Sequence, residues 1–592
     1  MLFPKFRQPL SFRKYVTWLG VIAAVWVMLG VGGFWWLSAQ SPLLLMKGGS
    51  HTASNAAIFV PRQAPLMVSL LTSPERLVEL RRVLTPPGRR GEAQAEVSQL
   101  KRSFLNQTGI NYDSDIHPWI GDEITLAVTD TDFDRDPTNG LQPGYLAAIS
   151  TRDGDRAREF LELFWQRQAL AGAKLVFEVS NGVQIIYAQT APSAPASPQL
   201  AQAFATLRQQ GQLASAVVGN RFVLLANHPQ VLQQSIHNAQ AAQINLTARP
   251  DYQLSLRQLT SKRIGVVYGN LPQLFSWLGI ASQTNLTVLK LTAGPPQTQS
   301  ITAAIQLNRQ GLRLTTALAP TAQTAYTPIE PDLNAPVEPL RYLPADTAMA
   351  ASGRNLNQLW ETLETELDFY ETLPSQLLQL RQRIHHPPVN TQQLLKNWLK
   401  GDYALGQWAS RPGERPDWLL VVKHSLEAEA AIAALDQLAE QQQLTVSPLS
   451  LQNQPVTAWS QFQTSVQARF RDRETTVETQ ILGLHATADG YDIFATSLPA
   501  MTAALDAPLR SLADTVQFNQ AIAPFQHPND GYLYINWPPF RKALAASVPW
   551  FKLLDTTARP ILDAFQSIAI SSYGTQTHQK PGDILIQLTD PQ

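Results

Sequence analysis

Phe59-Val60-Pro61, followed by Ala64 and Leu66, returns 283 residues later as Tyr342-Leu343-Pro344, followed by Thr347 and Met349. A chain that repeats its own landmarks must build one supersecondary plan twice, so the repeat constrains the fold more than any single motif does. The landmarks keep their order. Trp119-Ile120-Gly121-Asp122 answers to Trp398-Leu399-Lys400-Gly401-Asp402, and Phe222-Val223-Leu224-Leu225-Ala226 answers to Tyr491-Asp492-Ile493-Phe494-Ala495. Tyr268-Gly269-Asn270-Leu271-Pro272 is matched by Tyr534-Ile535-Asn536-Trp537-Pro538 at an offset of 266, and Ser300-Ile301 by Ser567-Ile568 at 267. Chance similarity would scatter such matches, whereas duplication followed by loop deletions leaves a slowly shrinking offset.

The local grammar of each copy points to α+β. Strand-like runs come in pairs across polar turns, as in residues 175–179 and 183–188 around Asn181-Gly182, the strongest short hairpin signal. Helices are expected from Pro229 to Ile236 after Asn227, and from Pro499 to Leu505 after Thr496-Ser497, because a polar cap with Pro in the first turn starts a helix well. Asn270-Leu271-Pro272 and Asn536-Trp537-Pro538 repeat the device, with Asn as the cap. Recurring strand–strand–helix units imply largely antiparallel sheets with helices on one face.

Residues 15–46 hold no charged residue, and 15–37 read YVTWLGVIAAVWVMLGVGGFWWL. As a helix this stretch is about 34 Å long, enough for a hydrocarbon core of about 30 Å. Tyr15 and Trp18 at one end, and Phe34, Trp35 and Trp36 at the other, suit the headgroup level. Lys5, Arg7, Arg13 and Lys14 precede it and the first carboxylate is Glu75, which puts the amino terminus in the cytoplasm and the bulk outside it. A cleaved signal peptide is the competing reading, although the apolar stretch exceeds the usual signal core and Leu37 suits a cleavage site poorly. Gly20 and Ala24 form a small-residue pair that could bring two such helices together.

The expected fold class is therefore α+β, one N-terminal transmembrane helix followed by two tandem copies of a largely antiparallel sheet-plus-helices domain. The expected organisation is a basic cytoplasmic tail 1–14, a span 15–37, a juxtamembrane linker 38–57, a first domain 58–318, a linker 319–339 rich in Pro, Thr and Ala, and a second domain 340–590. Residues 190–198 (TAPSAPASP) read as a loop, since alternating Ala, Ser and Pro cannot build a core. The duplicated Pro-centred start, the Trp-x-Gly-Asp and Trp-x-x-Gly-Asp segments and the Tyr-x-Asn-x-Pro segments behind one apolar stretch resemble a cyanobacterial, membrane-anchored family catalogued only as a domain of unknown function (family 3352). The likeness covers most of residues 56–590. It implies a plasma or thylakoid membrane setting, no activity and no site residues.

Forty-six basic and 46 acidic residues cancel, so no net field gathers nucleic acid, which is not expected as a partner. Cysteine is absent, which removes disulfides, thiolate nucleophiles and Cys-ligated metals. The spacings of zinc proteases, P-loops and nucleophile elbows are missing. No catalytic residue and no cofactor site is assigned. His385-His386 is the only adjacent His pair, in a Pro-flanked loop, and reads as a solvated turn.

One candidate metal site remains, Asp130, Asp132, Asp134 and Asp136, whose alternate carboxylates could surround a hard cation. Arg135 stands where a calcium loop wants Gly and Leu141 where it wants Glu, so a solvated loop competes with a weak cation site. Asp122 and Asp402 read as turn carboxylates binding nearby backbone N–H groups, Trp119 and Trp398 as core anchors, and Asn270 and Asn536 as caps. The expected role is a non-enzymatic interaction or assembly factor, single-pass, exposed to periplasm or thylakoid lumen. Its expected partners are the bilayer, through residues 15–37, and a protein in the membrane or lumen. A carrier or sensor of a lipid, pigment or small solute is the alternative, and an unrecognised hydrolase the third.

Overall fold

In a computed structural model, the described residues are 53–72, 112–136, 138, 140–189, 212–277, 298–308, 311–320, 325–357, 397–408, 417–469, 472–547 and 562–588. Their strands join into one antiparallel sheet of 20. In chain order the first ten are β1 (Leu66–Leu70), β2 (Ile120–Asp130), β3 (Gly144–Thr151), β4 (Leu175–Ser180), β5 (Val183–Ala188), β6 (Ala214–Val218), β7 (Phe222–Ala226), β8 (Gly265–Asn270), β9 (Thr298–Asn308) and β10 (Gly311–Pro320). The second ten are β11 (Met349–Arg354), β12 (Asp402–Trp408), β13 (Asp417–Lys423), β14 (Thr445–Leu451), β15 (Gln454–Arg469), β16 (Asp472–Ala488), β17 (Tyr491–Ala495), β18 (Tyr532–Asn536), β19 (Phe565–Ser572) and β20 (Lys580–Leu588).

Within the first half the spatial order is 4-5-6-7-3-2-1-8-9-10. The second half runs 14-15-16-17-13-12-11-18-19-20, the same plan strand for strand. Strands β10 and β20 then pair antiparallel, Gly311 opposite Gln587 through Leu318 opposite Lys580. The final ladder is 4-5-6-7-3-2-1-8-9-10-20-19-18-11-12-13-17-16-15-14.

The expected fold class is thereby corrected. The two halves do not carry separate sheets, because the β10–β20 ladder joins them into one hydrogen-bonded surface. Pairing removes two rows of open backbone groups that separate sheets would each have had to protect. Among the described residues no helix is long and apolar enough to cross a membrane. Residues 15–37, the expected transmembrane helix, lie outside the described residues, as do the tail 1–14, the loop 190–198 and His385-His386. Part of the expected linker is packed. Tyr326 and Ile329 donate backbone hydrogen bonds to Thr577 and Thr575, at 3.0 and 2.9 Å, and Leu333 exchanges a pair with Asn529.

Helices cover both faces of the sheet, which corrects the expected single helical face. In the first half α1 (Gly154–Leu170) lies on one face, over Trp119, Ile120 and Val223. The other face carries α2 (Pro229–Gln240) and α3 (Pro250–Gln258), over Met67, Leu146, Leu224 and Tyr268. After α4 (Leu271–Trp277), the second half repeats the arrangement. There α5 (Leu426–Gln441) covers Trp398 and Val422, while α6 (Leu498–Asp506) and α7 (Val516–Ile522) cover Leu419, Val421 and Ile493. The eighth helix of this series, α8 (Trp537–Ser547), follows β18. Being buried on both faces explains runs such as Phe222 to Ala226, apolar at every position where a half-exposed strand would alternate.

Local chemistry sets the ends of these elements. Asn181 and Gly182 have φ of 48° and 78°, the left-handed pair that a two-residue hairpin turn requires, and Gln452-Asn453 does the same between β14 and β15. Ser497 accepts from Ala500 N–H at 3.2 Å and caps α6 as expected. Helix α2 is capped one residue later than expected, by His228 Nδ1. Asn227 is already engaged, accepting from Tyr145 N–H at 2.8 Å and donating to Pro143 C=O at 2.9 Å.

The seam between halves carries its own ion pair. Asp583 on β20 is 1% exposed and accepts from Arg313 on β10 and from the Tyr573 hydroxyl at 2.6 Å. The hydrogen bond to Asp583 holds the Arg313 guanidinium above its usual range, and burial pushes the Tyr573 hydroxyl up, so both remain donors. Asp583→Ala strands a half-buried guanidinium and a half-buried hydroxyl. Urea unfolding should show a loss of about 3 kcal/mol, the cost of breaking a buried pair from one side; an unchanged midpoint would remove the pair from the stability of the seam.

Candidate functional site

Each of the four sequence-predicted acids turns back to its own chain. Asp130, at the end of β2, accepts from Asp132 N–H at 3.1 Å, and Asp132 accepts from Gln142 N–H at 3.2 Å. Asp134 accepts from Asp136 N–H at 3.2 Å, and Asp136 accepts from the N–H and hydroxyl of Thr138 at 2.9 and 2.7 Å. Arg135 takes a left-handed φ of 53°, which lets the loop reverse between β2 and β3. Burial, with Asp134 close by, raises the Asp132 carboxyl, whereas Thr138 holds Asp136 low. Among the described residues no three His, Asp or Glu side chains gather closely enough to hold a metal ion.

The repeated Gly-Asp acids bind guanidinium groups where backbone N–H groups were expected. Asp122 pairs with Arg152 at 3.2 Å, and Asp402 with Arg354 at 2.8 Å, its opposite residue on β11. Trp119 is buried and donates from Nε1 to Asp115 C=O at 2.7 Å; Trp398 packs on Phe494 with ring centroids 5.5 Å apart.

Two His–Asp pairs between α5 and its face of the sheet went unnoticed in the sequence. His424 Nδ1 lies 2.9 Å from Asp492 Oδ1, which also accepts from Thr487 at 2.8 Å; Asp492 is fully buried in β17. His485 Nε2 lies 3.0 Å from Asp436 Oδ1 on α5, and Trp459 Nε1 donates to the same oxygen at 2.7 Å. The His485 ring stacks on Phe494 at 5.6 Å. Their partners are 68 and 49 residues apart, beyond any linear motif. The only local signal was Asp492, a lone acid in an otherwise apolar strand. The His424–Asp492 pair ties the loop entering α5 to β17, and the His485–Asp436 pair ties α5 itself to β16.

The other tightly held charge pair is Arg249–Asp251. Two bonds of 2.8 Å join them, and Ser300 donates to Asp251 at 2.6 Å, tying α3 to β9. Burial opposes the charged carboxylate, yet the Arg249 and Ser300 hydrogen bonds prevail and hold Asp251 below the usual carboxylate range.

The most conspicuous departure from the sheet is a two-stranded arm. Strand β14 accompanies β15 only to Ser460, and β17 accompanies β16 only from Leu484. Beyond them, Gln461 opposite Gln480 through Arg469 opposite Asp472 pair with each other alone among the described residues. Nine residues of antiparallel strand reach about 30 Å. A register shift between Trp459 and Ser460 marks the base, the kind of irregularity that lets a ribbon leave the plane of its sheet. Phe462, at the root of the arm, is 58% exposed. The equivalent strands β5 and β6 have six and five residues. Sequence alternation in 454–488 was available as a signal, but it runs on from sheet to arm and does not announce where the sheet stops.

A depressed carboxylate stabilises the fold above its unfolded pKa of about 3.9, and that contribution disappears as pH falls through the lower folded value. Wild type should therefore lose urea resistance between about pH 5 and pH 3. Asp251→Asn should start from a lower midpoint at neutral pH and lose less across that window; parallel curves for the two proteins would refute the role of this pair.

No match to the chain was found among curated proteins or among solved structures. The model of the family described as "Protein of unknown function (DUF3352)" matches residues 20–588, nearly the whole chain. The chain belongs to that family.

Proposed function

We propose that the protein is a non-enzymatic interaction or assembly factor that contacts a bilayer through residues 15–37 and works on the non-cytoplasmic side, in the periplasm or thylakoid lumen of a cyanobacterium. The observation that carries this reading is the arm at 461–480. An isolated two-stranded ribbon is at best marginally stable in water, and this one has no strand on either flank among the described residues and an exposed Phe462 at its base. Those are the features by which a partner chain adds a strand or buries an aromatic anchor. A stiff 20-stranded sheet behind the arm gives it a fixed base. The basic, acid-free flank before residue 15 supports the sidedness, and the family resemblance supports the cyanobacterial setting.

Pull-down from detergent-solubilised membranes should recover a protein partner with the wild-type chain. Replacing residues 461–480 by a two-residue turn should abolish recovery without lowering the urea midpoint, and Phe462→Asp should weaken it about tenfold, the scale of an interface anchor. Recovery of the chain alone at every detergent strength, or unchanged recovery by the armless variant, would overturn the reading. Protease added to right-side-out vesicles should digest the sheet; protection beside a digested exported control would overturn the location.

A further inference from the structure

The two outer strands of the sheet occupy equivalent places in the two halves and are built differently. Strand β14, at the end of the second half, carries Pro448 in its centre, and Pro in a strand is tolerated where its nitrogen faces solvent, so this edge lacks a donor. Strand β4, at the end of the first half, has no proline and leaves Phe177 and Val179 exposed at 62% and 73%, on the face that α1 covers. Among the described residues its only neighbour is β5. Gln189 N–H donates to Lys174 C=O, so by strand alternation Val176 and Glu178 also bond inward. The backbone groups of Leu175, Phe177 and Val179 therefore point outward.

We propose that β4 pairs antiparallel with β4 of a second copy of this chain, about a two-fold axis at Val176. In that register Leu175 faces Phe177 of the other copy, and because both belong to the outward set they can exchange both backbone hydrogen bonds. Lys174 faces Glu178 on the opposite sheet surface, twice over, and Val176 meets its own equivalent. One register thus satisfies the hydrogen-bond phase, sets Leu175 against the exposed Phe177 and Ala173 against the exposed Val179, and matches Lys174 with Glu178, a carboxylate that also accepts from Gln233 at 2.7 Å. A self-complementary patch of this kind is what a closed two-fold interface requires. The pairing is independent of whatever the arm engages, since β4 and the arm belong to opposite halves.

The absence of cysteine makes the test direct. Val176→Cys introduces one thiol per chain at the axis, where opposed Cα atoms of a non-hydrogen-bonded pair stand about 4.5 Å apart, within disulfide range. Mild oxidation of membranes holding the full-length variant should give a disulfide-linked species of doubled mass on a non-reducing gel. Ser447→Cys, at the equivalent place on β14, should remain monomeric. Adding Lys174→Glu should cut cross-linking about tenfold by opposing like charges, and adding Glu178→Lys to that should restore it. In a chain without added cysteine, sedimentation velocity in detergent should follow the same order, with K174E shifted to monomer and K174E/E178K recovering dimer. Cross-linking of Val176→Cys no faster than Ser447→Cys, or identical sedimentation of all charge variants, would overturn the proposal.

Discussion

Arg313 and Asp583 stand diagonally across the ladder that, among the described residues, connects the first half of the molecule to the second. Eight residue pairs, Gly311 to Leu318 against Gln587 to Lys580, make that ladder. The salt bridge beneath it is nearly dry on the acid side. A buried carboxylate is tolerable only with charge and hydrogen-bond partners, and here Arg313 on β10 and Tyr573, just past the end of β19, supply them. Register and pairing are thus coupled. A one-residue slip of β10 against β20 would turn Arg313 to the opposite face and abandon Asp583, so the ion pair specifies the register of the seam as well as stabilising it.

Given that seam, the rest follows from covering a very wide sheet on both sides. Each half buries one face under α1 or α5 and the other under paired helices, with distinct hydrophobic clusters above and below. Two polar clusters cross these layers and join a helix to the sheet. Arg249–Asp251–Ser300 ties α3 to the strands on one face, and His485–Asp436–Trp459 ties α5 to the other. Both are anchors between a helix and a strand far away in sequence. They make helix placement specific where apolar contact alone would allow sliding.

Much of the local plan could be read from residues. Asn181-Gly182 announced its hairpin, Ser497 with Pro499 announced α6, and the paired Trp, Gly-Asp and Tyr-x-Asn-x-Pro landmarks mark equivalent places in the two halves of the sheet. The joining of β10 to β20 could not be read, because strand partners are chosen by shape and register over long range, and neither strand carries a local mark of which edge it will meet. Helices on both faces were missed for a related reason: the continuous apolar run at Phe222 to Ala226 marks a strand buried on both sides but carries no mark of what covers the second. At the site level, the acid run from Asp130 to Asp136 drew attention because it is contiguous, and each carboxylate is spent on a neighbouring amide. The His–Asp pairs, made of residues dozens of positions apart, left no contiguous trace.

Both halves of the sheet follow one strand order and meet edge to edge through equivalent strands, so the molecule has the geometry of a symmetric pair held on a single polypeptide. A pair of separate subunits must change in step, because any alteration appears on both sides of the axis. Covalent linkage lifts that obligation. One side can lengthen a hairpin into a projecting arm while its counterpart keeps short strands, and one outer strand can carry a central proline while the other has none. The seam therefore does more than hold two bodies together: it lets a symmetric scaffold carry a direction, with a left end and a right end that differ in what they can engage.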